Sequence, residues 1–154
     1  MPIEIVPASF MDISEILNLE KACFKKDAWT LLDLTGLFCQ RNSFRLKALV
    51  NKVFAGFAAA EEIPRDKAAW IMTVGVYESF RGQGIGTALI AACEQRVSQP
   101  LMRLTVSVEN EKAIRLYEQL GYKKVEIWKN YYASKRDGLM MEKTLWKSDT
   151  DSRF

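Results

Sequence analysis

Residues 70–87 of this chain read Trp-Ile-Met-Thr-Val-Gly-Val-Tyr-Glu-Ser-Phe-Arg-Gly-Gln-Gly-Ile-Gly-Thr. The first half is apolar enough for a strand that is buried on both faces, and the second half is a glycine-rich turn that leads into a helical pattern. Gly82, Gly84 and Gly86 can adopt backbone angles closed to other residues and have no side chain in the way, so that consecutive N–H groups can converge on an anion. The helix N-terminus that follows favours the same anion. The stretch therefore predicts a site for a phosphorylated ligand.

Two common nucleotide signatures fit this turn poorly. A dinucleotide fingerprint needs Gly-x-Gly-x-x-Gly, and a mononucleotide P-loop needs a Lys before its Ser or Thr. Here the spacing is Gly82-x-Gly84-x-Gly86, and no Lys precedes Thr87. A plain strand-to-helix turn without a ligand remains the simpler alternative at this point.

The turn does resemble the acyl-CoA loop of the GNAT acetyltransferase superfamily, whose pattern is Gln/Arg-x-x-Gly-x-Gly/Ala. Arg81, Gly84 and Gly86 match that pattern. The resemblance implies acetyl-CoA as acyl donor, with its pyrophosphate held by the backbone N–H groups of the loop. Gly75, inside the preceding strand, predicts either a bulge or a close approach of another chain segment. In the superfamily this strand splays from its neighbour, and its backbone pairs with the pantetheine arm.

A second motif follows about thirty residues later. Asn110-Glu-Lys-Ala-Ile-Arg-Leu-Tyr-Glu-Gln-Leu-Gly-Tyr122 is similar to the superfamily's Asn-x-x-Ala-x-x-Leu-Tyr-x-x-x-Gly-Phe/Tyr segment. From the residues alone, Asn110 is an N-cap, and Tyr117 lies on an apolar stripe that is typical of core. The resemblance implies that Tyr117 protonates the leaving thiolate and that the N–H of Val76 polarises the thioester carbonyl. The implied cofactor-binding residues are Val74, Val76, Arg81, Gly82, Gln83, Gly84, Ile85, Gly86, Thr87, Asn110 and Tyr117.

The order of elements predicts the fold. Capping boxes at Ser9 and Thr30 open two helices, a loop spans residues 63–67, and the helix after the glycine turn is expected from Thr87 to about Ser98. The full order is strand, two helices, three strands, helix, strand, helix and two strands. That order resembles the GNAT fold, an α/β fold with a mixed central sheet of about seven strands, a splayed central pair and about four flanking helices. We expect one domain over residues 1–146 and a polar tail over 147–154.

Composition limits the remaining possibilities. The chain is 49% hydrophobic and 27% charged, with no apolar run of transmembrane length and no signal pattern, which predicts a cytoplasmic protein without a membrane partner. Three widely spaced cysteines and the absence of His disfavour disulfides, a metal site and Ser-His or Cys-His dyads. The net charge of +3 is too mild to predict a nucleic-acid partner. Composition leaves monomer and weak dimer open.

Within the superfamily the chain most resembles protein N-terminal acetyltransferases, of the ribosomal-protein-alanine type and of the type that modifies Met-starting chains. Three stretches carry this resemblance: residues 20–29 (with Phe24 and Ala28-Trp29), residues 71–87, and Lys129-Asn-Tyr131-Tyr132. In such enzymes aromatic and apolar residues of two loops clamp the backbone of the substrate's first residues. Phe24, Trp29, Tyr131 and Tyr132 are therefore the substrate-binding candidates, and paired tyrosines that merely pack a loop are the alternative.

The match is incomplete at the general base. Relatives often carry Glu or His where this chain has Thr105, or Tyr where it has Trp70. At pH 7.5 an α-amine of pKa about 7.8 is roughly one third neutral, but a lysine amine of pKa about 10.4 is only about 0.1% neutral. Lacking a base costs roughly 0.7 kcal/mol for an N-terminus and about 4 kcal/mol for lysine. The missing base favours a protein N-terminus as acceptor, unless Glu78, Glu109 or Glu126 reaches the amine.

Two alternatives to this function remain open from the sequence. One is an acetyltransferase acting on a lysine side chain, a polyamine or an antibiotic amine. The other is a CoA-binding or partner-binding module without catalysis, which the missing base would suit. The retained Tyr117 and Asn110 argue against the second.

Overall fold

A computed structural model describes residues 2–146 of the chain. It confirms the predicted fold class, because the described part forms one mixed seven-stranded sheet flanked by four α-helices. The predicted polar tail over 147–154 lies outside the described residues. The elements are β1 (Ile3–Pro7), α1 (Ile13–Phe24), α2 (Leu31–Cys39), β2 (Ser43–Val50), β3 (Val53–Ile63), β4 (Ala68–Val76), α3 (Ile85–Arg96), β5 (Leu101–Ser107), α4 (Glu111–Gln119), β6 (Lys123–Trp128) and β7 (Gly138–Thr144).

The sheet opens between its two central strands. Its order is β1-β2-β3-β4-β5-β7-β6, and β4 and β5 form its parallel pair. These two strands pair only where Ala68–Trp70 meets Leu101–Arg103, and beyond that point they separate. The register of β3 against β4 skips Met72, which is therefore an extra, bulged residue at the start of the separation. Because a bulge bends its strand and increases the local twist, Met72 marks where β4 turns away from β5.

Two apolar cores cover the two faces of the sheet. Helices α3 and α4 cover one face, and α1 and α2 cover the other. The first core is centred on Leu89, Leu104 and Met141, and the second on Ile16, Leu34 and Phe57, all of which are buried. The separated ends of β4 and β5 are thus open between the two layers, so that a ligand there can be reached from both faces.

Some local boundaries differ from the sequence prediction. The Ser9 capping box opens a 3₁₀ turn, Phe10–Asp12, and α1 follows it. The segment predicted as a loop is mostly a 3₁₀ turn, Pro64–Asp66, because Pro at the first helical position suits such a turn. Helix α3 begins at Ile85, earlier than the predicted Thr87. Within residues 2–146, no helix has the length and apolar character needed to cross a membrane.

Candidate active site

The glycine turn is shaped by two left-handed residues. Gly82 and Gly84 both have φ of +79°, and Gly84 is the N-cap of α3. An L side chain is strained in that region, which explains glycine at both positions. Gly86 does not use this conformational freedom, because α3 has already begun at Ile85 and Gly86 has no positive φ.

The backbone N–H groups of this turn are free to bind a ligand. Within the described chain, no hydrogen bond is donated by the N–H groups of residues 82–87. The first one along the chain that does donate is that of Ala88, which bonds to the carbonyl of Gly84 at 3.0 Å. Free N–H groups at a helix N-terminus are the donor set that a phosphate group needs.

The exposed edge of β4 continues from this turn towards the opening. The N–H of Tyr77 bonds to the carbonyl of Ala55 on β3 at 2.9 Å. Backbone groups alternate direction along a strand, so the N–H groups of Val74 and Val76 point away from β3, towards the separated β5. The carbonyl of Val76 accepts bonds from Arg81 Nε at 3.0 Å and from Cys23 Sγ at 3.5 Å. Arg81 therefore anchors the end of the strand with its side chain.

Gly75 allows a close approach, which is one of the two alternatives that its position in the strand predicts. A Cβ atom there would lie 3.3 Å from Cys23 Sγ and 3.4 Å from a ring carbon of Phe24. The bulge itself lies earlier in the strand, at Met72. The end of α1 consequently packs directly on β4 beside the opening.

A cavity of about 1030 Å³ fills the space between the separated strands. This volume is at the upper end of the range for small-molecule sites. Among the predicted site residues, those that line the cavity are Val74, Asn110, Tyr117, Phe24, Trp29 and Tyr132. Val76, Tyr131 and the glycine turn lie outside this lining.

Tyr117 reaches the cavity from α4. It is only 8% exposed, and its hydroxyl has no hydrogen-bond partner among the described residues. Burial raises its pKa to about 12, so the hydroxyl is protonated at neutral pH and can donate to a ligand. Asn110, by contrast, uses its side-chain oxygen to cap α4, accepting the N–H of Ala113 at 3.2 Å.

Two loops roof the other side of the cavity, namely the α1–α2 loop (residues 25–30) and the β6–β7 loop (residues 129–137). They are joined by what we call the loop bridge: Asp27 accepts bonds from the N–H and the hydroxyl of Ser134, both at 2.9 Å. Tyr132 is half-buried beside this bridge, and burial raises its pKa. Tyr131 is 50% exposed and packs edge-on against Tyr132 with ring centroids 4.9 Å apart. No signal in the sequence predicts this bridge.

The carboxylates considered as general bases have other roles or positions. Glu109 lines the cavity but pairs with Arg136 at 3.1 Å. Glu126 bonds to the indole of Trp128, and Glu78 lines a separate, smaller cavity. The carboxylate buried at the cavity is that of Glu20, which is 2% exposed and is not among the bases predicted from the sequence.

Comparison with known proteins identifies the family. The profile of the Acetyltransferase (GNAT) family matches residues 11–122, more than half of the chain, and the chain belongs to that family. An N-alpha-acetyltransferase of Sulfurisphaera tokodaii is 34% identical over 91 residues, which are 56% of this chain and 54% of that protein. The chain spans about half the length of the curated relatives it matches.

Solved structures of low sequence identity share the fold. The ribosomal-protein-S18-alanine N-acetyltransferase from Escherichia coli has a TM-score of 0.87 at 21% identity, covering 99% of this chain and 100% of that one. Arabidopsis thaliana NAA60 in complex with acetyl-CoA has a TM-score of 0.82 at 18% identity, covering 93% and 98%. Both chains are aligned over nearly their whole length, so the likeness extends to the whole fold.

Proposed function

We propose that this protein transfers the acetyl group of acetyl-CoA to the free α-amino group of a protein N-terminus, as ribosomal-protein-alanine-type N-acetyltransferases do. The observation that carries the proposal is a cavity at the opening of the sheet that is roofed by the loop bridge between Asp27 and Ser134. A roofed cavity admits a slender chain end more readily than a bulky amine. Relatives named N-alpha-acetyltransferase support the same acceptor.

On the donor side, this chain offers two sets of backbone donors, one in the glycine turn and one on the edge of β4. The free N–H groups of residues 82–87 bind the pyrophosphate of acetyl-CoA at the start of α3. The exposed edge of β4 at Val74 and Val76 then pairs with the amide groups of the pantetheine arm. The N–H of Val76 polarises the thioester carbonyl, which is an oxyanion-hole role.

The reaction is direct attack by the amine on the thioester carbonyl carbon. Tyr117 acts as general acid and donates its proton to the sulfur as the carbon–sulfur bond breaks. Because its pKa is raised to about 12, Tyr117 carries this proton throughout the physiological pH range. The protein otherwise contributes orientation, since acetyl-CoA already holds an activated acyl group.

On the acceptor side, Phe24, Trp29 and Tyr132 line the route to the opening, and Tyr131 supports Tyr132 from outside. Aromatic walls hold a peptide backbone without selecting one sequence. Three exposed lysines, Lys25, Lys26 and Lys135, line the cavity, together with Arg136, which pairs with Glu109. These exposed lysines disfavour polyamines, which are themselves cations.

A peptide panel tests the acceptor. Peptides with Ala, Ser or Met first are prepared with free or acetyl-blocked N-termini, and each with one internal Lys or with Arg in its place. We expect acetyl-CoA-dependent thiol release from every free N-terminus regardless of the Lys. Release that requires the internal Lys would overturn the N-terminal acceptor. Bound acetyl-CoA without any thiol release would indicate a non-catalytic module.

A further inference from the structure

The side chain of Glu20 is a buried carboxylate, and its burial has a considerable cost in folding free energy. It lies near the end of α1, is 2% exposed, and forms no ion pair with any described Lys or Arg. A buried charge without a counter-ion destabilises a fold by several kcal/mol relative to a neutral side chain. Burial accordingly raises the pKa of Glu20, although its two hydrogen bonds oppose that change. Fold stability alone does not account for a carboxylate here.

The two hydrogen bonds connect Glu20 to both sides of the acceptor route. Thr73 Oγ1 donates to Oε1 at 2.6 Å, and the N–H of Trp29 donates to Oε2 at 3.3 Å. Thr73 follows the bulged Met72 on β4, is 8% exposed, and lines the cavity together with Glu20. Since its hydrogen is committed to Glu20, the Thr73 oxygen keeps its lone pairs available to accept a bond from a ligand.

These groups lie on the opposite side of the sheet from the general acid. Thr73 pairs with Ala59, which belongs to the core under α1 and α2, whereas Tyr117 belongs to the core under α3 and α4. The opening between β4 and β5 therefore has a protonated phenol on one face and a hydroxyl backed by a carboxylate on the other. An acyl transfer needs a proton acceptor at the nucleophile and a proton donor at the leaving group.

We propose that Thr73 and Glu20 form a proton relay that deprotonates the attacking amine. As the nitrogen bonds to the thioester carbon it becomes positively charged, and one of its protons passes to Thr73 Oγ1. The hydrogen of Thr73 moves at the same time to Glu20 Oε1, which leaves Glu20 as a neutral carboxylic acid. The carbon–sulfur bond then breaks, the sulfur takes the electron pair, and Tyr117 protonates it. Glu20 later releases its proton to solvent, and Tyr117 regains one.

The other titratable groups near Glu20 do not replace it. Cys23 lies one turn further along α1, where burial raises its pKa and Arg81 Nη2 contacts its sulfur at 3.6 Å. Tyr117 and Tyr132 face the cavity as protonated phenols, since burial raises both pKa values. The remaining charged residues that line the cavity are Lys25, Lys26, Asp27, Glu109, Lys135 and Arg136.

The relay is tested by the variants Glu20→Gln, Thr73→Val, Thr73→Ser and the double variant of Glu20→Gln with Thr73→Val. Each is assayed from pH 6 to pH 9.5 with the best amine in the peptide panel. The proposal rests on acetyl transfer to an amine but not on which amine, so its failure is distinct from failure of the N-terminal acceptor. We expect Glu20→Gln and Thr73→Val each to lower kcat by at least about 100-fold with little change in the KM for acetyl-CoA. Thr73→Ser should retain most of the activity.

Three further readouts separate a relay from a structural role. The double variant should be no slower than the slower single variant, because both residues act in one step. In Glu20→Gln, kcat should keep rising with pH as hydroxide replaces the carboxylate, whereas the wild-type kcat reaches a plateau. Asp12→Asn, which removes a carboxylate bonded to Lys47 at the far end of α1, should lower Tm and leave kcat and its pH profile unchanged. Additive losses, or a wild-type pH profile in Glu20→Gln and Thr73→Val, would overturn the relay.

Discussion

Replacing Tyr117 by Phe removes a single oxygen atom at the cavity. The Tyr117 hydroxyl has no hydrogen-bond partner among the described residues, so its loss should leave the folding free energy nearly unchanged. Tyr122 is a matched control, because it is also buried and packs edge-on against Tyr117 with ring centroids 6.0 Å apart. Its hydroxyl donates to Glu94 at 3.0 Å, so Tyr122→Phe should lower Tm and spare kcat.

The expected loss in kcat for Tyr117→Phe follows from the raised pKa of Tyr117. Moving a proton from a phenol of pKa about 12 to a thiolate whose thiol has a pKa of about 8.5 costs about 5 kcal/mol. The proton therefore moves late, and the transition state gains mainly a hydrogen bond to a developing negative charge. Such a bond contributes about 1.5–3 kcal/mol. The expected loss in kcat for Tyr117→Phe is thus about 10- to 150-fold.

The assay is thiol release at saturating acetyl-CoA and peptide, accompanied by a binding titration with acetyl-CoA and a thermal unfolding curve. We expect the loss in kcat with an unchanged Kd for acetyl-CoA and an unchanged Tm. A kcat within twofold of the wild type would refute the role of Tyr117 as general acid. A fall in Tm comparable to that of Tyr122→Phe would instead indicate that the Tyr117 hydroxyl stabilises the fold.

Three further predictions concern the glycine turn, the loop bridge and the buried carboxylate of Glu20. Gly84→Ala places an L residue at φ +79°, which costs about 1–2 kcal/mol in the conformation that presents the free N–H groups. The unbound turn can relieve this strain by leaving that conformation, and acetyl-CoA must restore it, so binding should be about 5- to 30-fold weaker. Gly36→Ala in α2, where a Cβ meets nothing within 4 Å, should leave binding unchanged. Asp27→Ala removes the carboxylate that accepts both bonds from Ser134, so the ratio of internal-Lys to N-terminal acetylation should rise. An unchanged ratio would contradict the role of the loop bridge. Because burial raises the pKa of Glu20, its contribution to the stability of the fold is present at pH values below its pKa in the unfolded chain, about 4.3. This contribution is lost as the pH rises through the pKa of Glu20 in the folded protein. Urea unfolding should therefore show the wild type gaining stability relative to Glu20→Gln as the pH falls from 7 to 4, and a pH-independent difference would contradict the burial of a charge there.

Local sequence signals were sufficient for most of the fold. The apolar run through Trp70–Tyr77, the left-handed glycines and the N-cap at Asn110 each act within a few residues, and the structure has a strand, a turn and a helix start at those positions. The predicted start of α3 at Thr87 was two residues late, because a glycine pattern does not reveal at which residue the helix begins. The Met72 bulge also escaped prediction, since register is decided by the partner strand.

The acceptor side of the site was less predictable. Glu20 stands between Leu19 and Lys21 on an amphipathic helix, and nothing in that pattern distinguishes a buried carboxylate from a solvated one. The loop bridge joins residues 107 positions apart, so only the folded chain brings them together. Neither feature has a sequence signature because both are made by tertiary contacts.

The loop bridge also limits the shape of the chain segment that can enter the opening. A groove accepts a chain laid along it, with both ends running on into solvent. The bonds between Asp27 and Ser134 join the two loops across the groove, so a chain can no longer be laid into it sideways at that point. Such an opening is entered by a free chain end. It limits the cross-section of the segment that enters but not the length of the chain behind it. If the acceptor is the proposed protein N-terminus, this geometry sets no limit on the size of the protein and requires only that its first few residues are unfolded and extend clear of its surface.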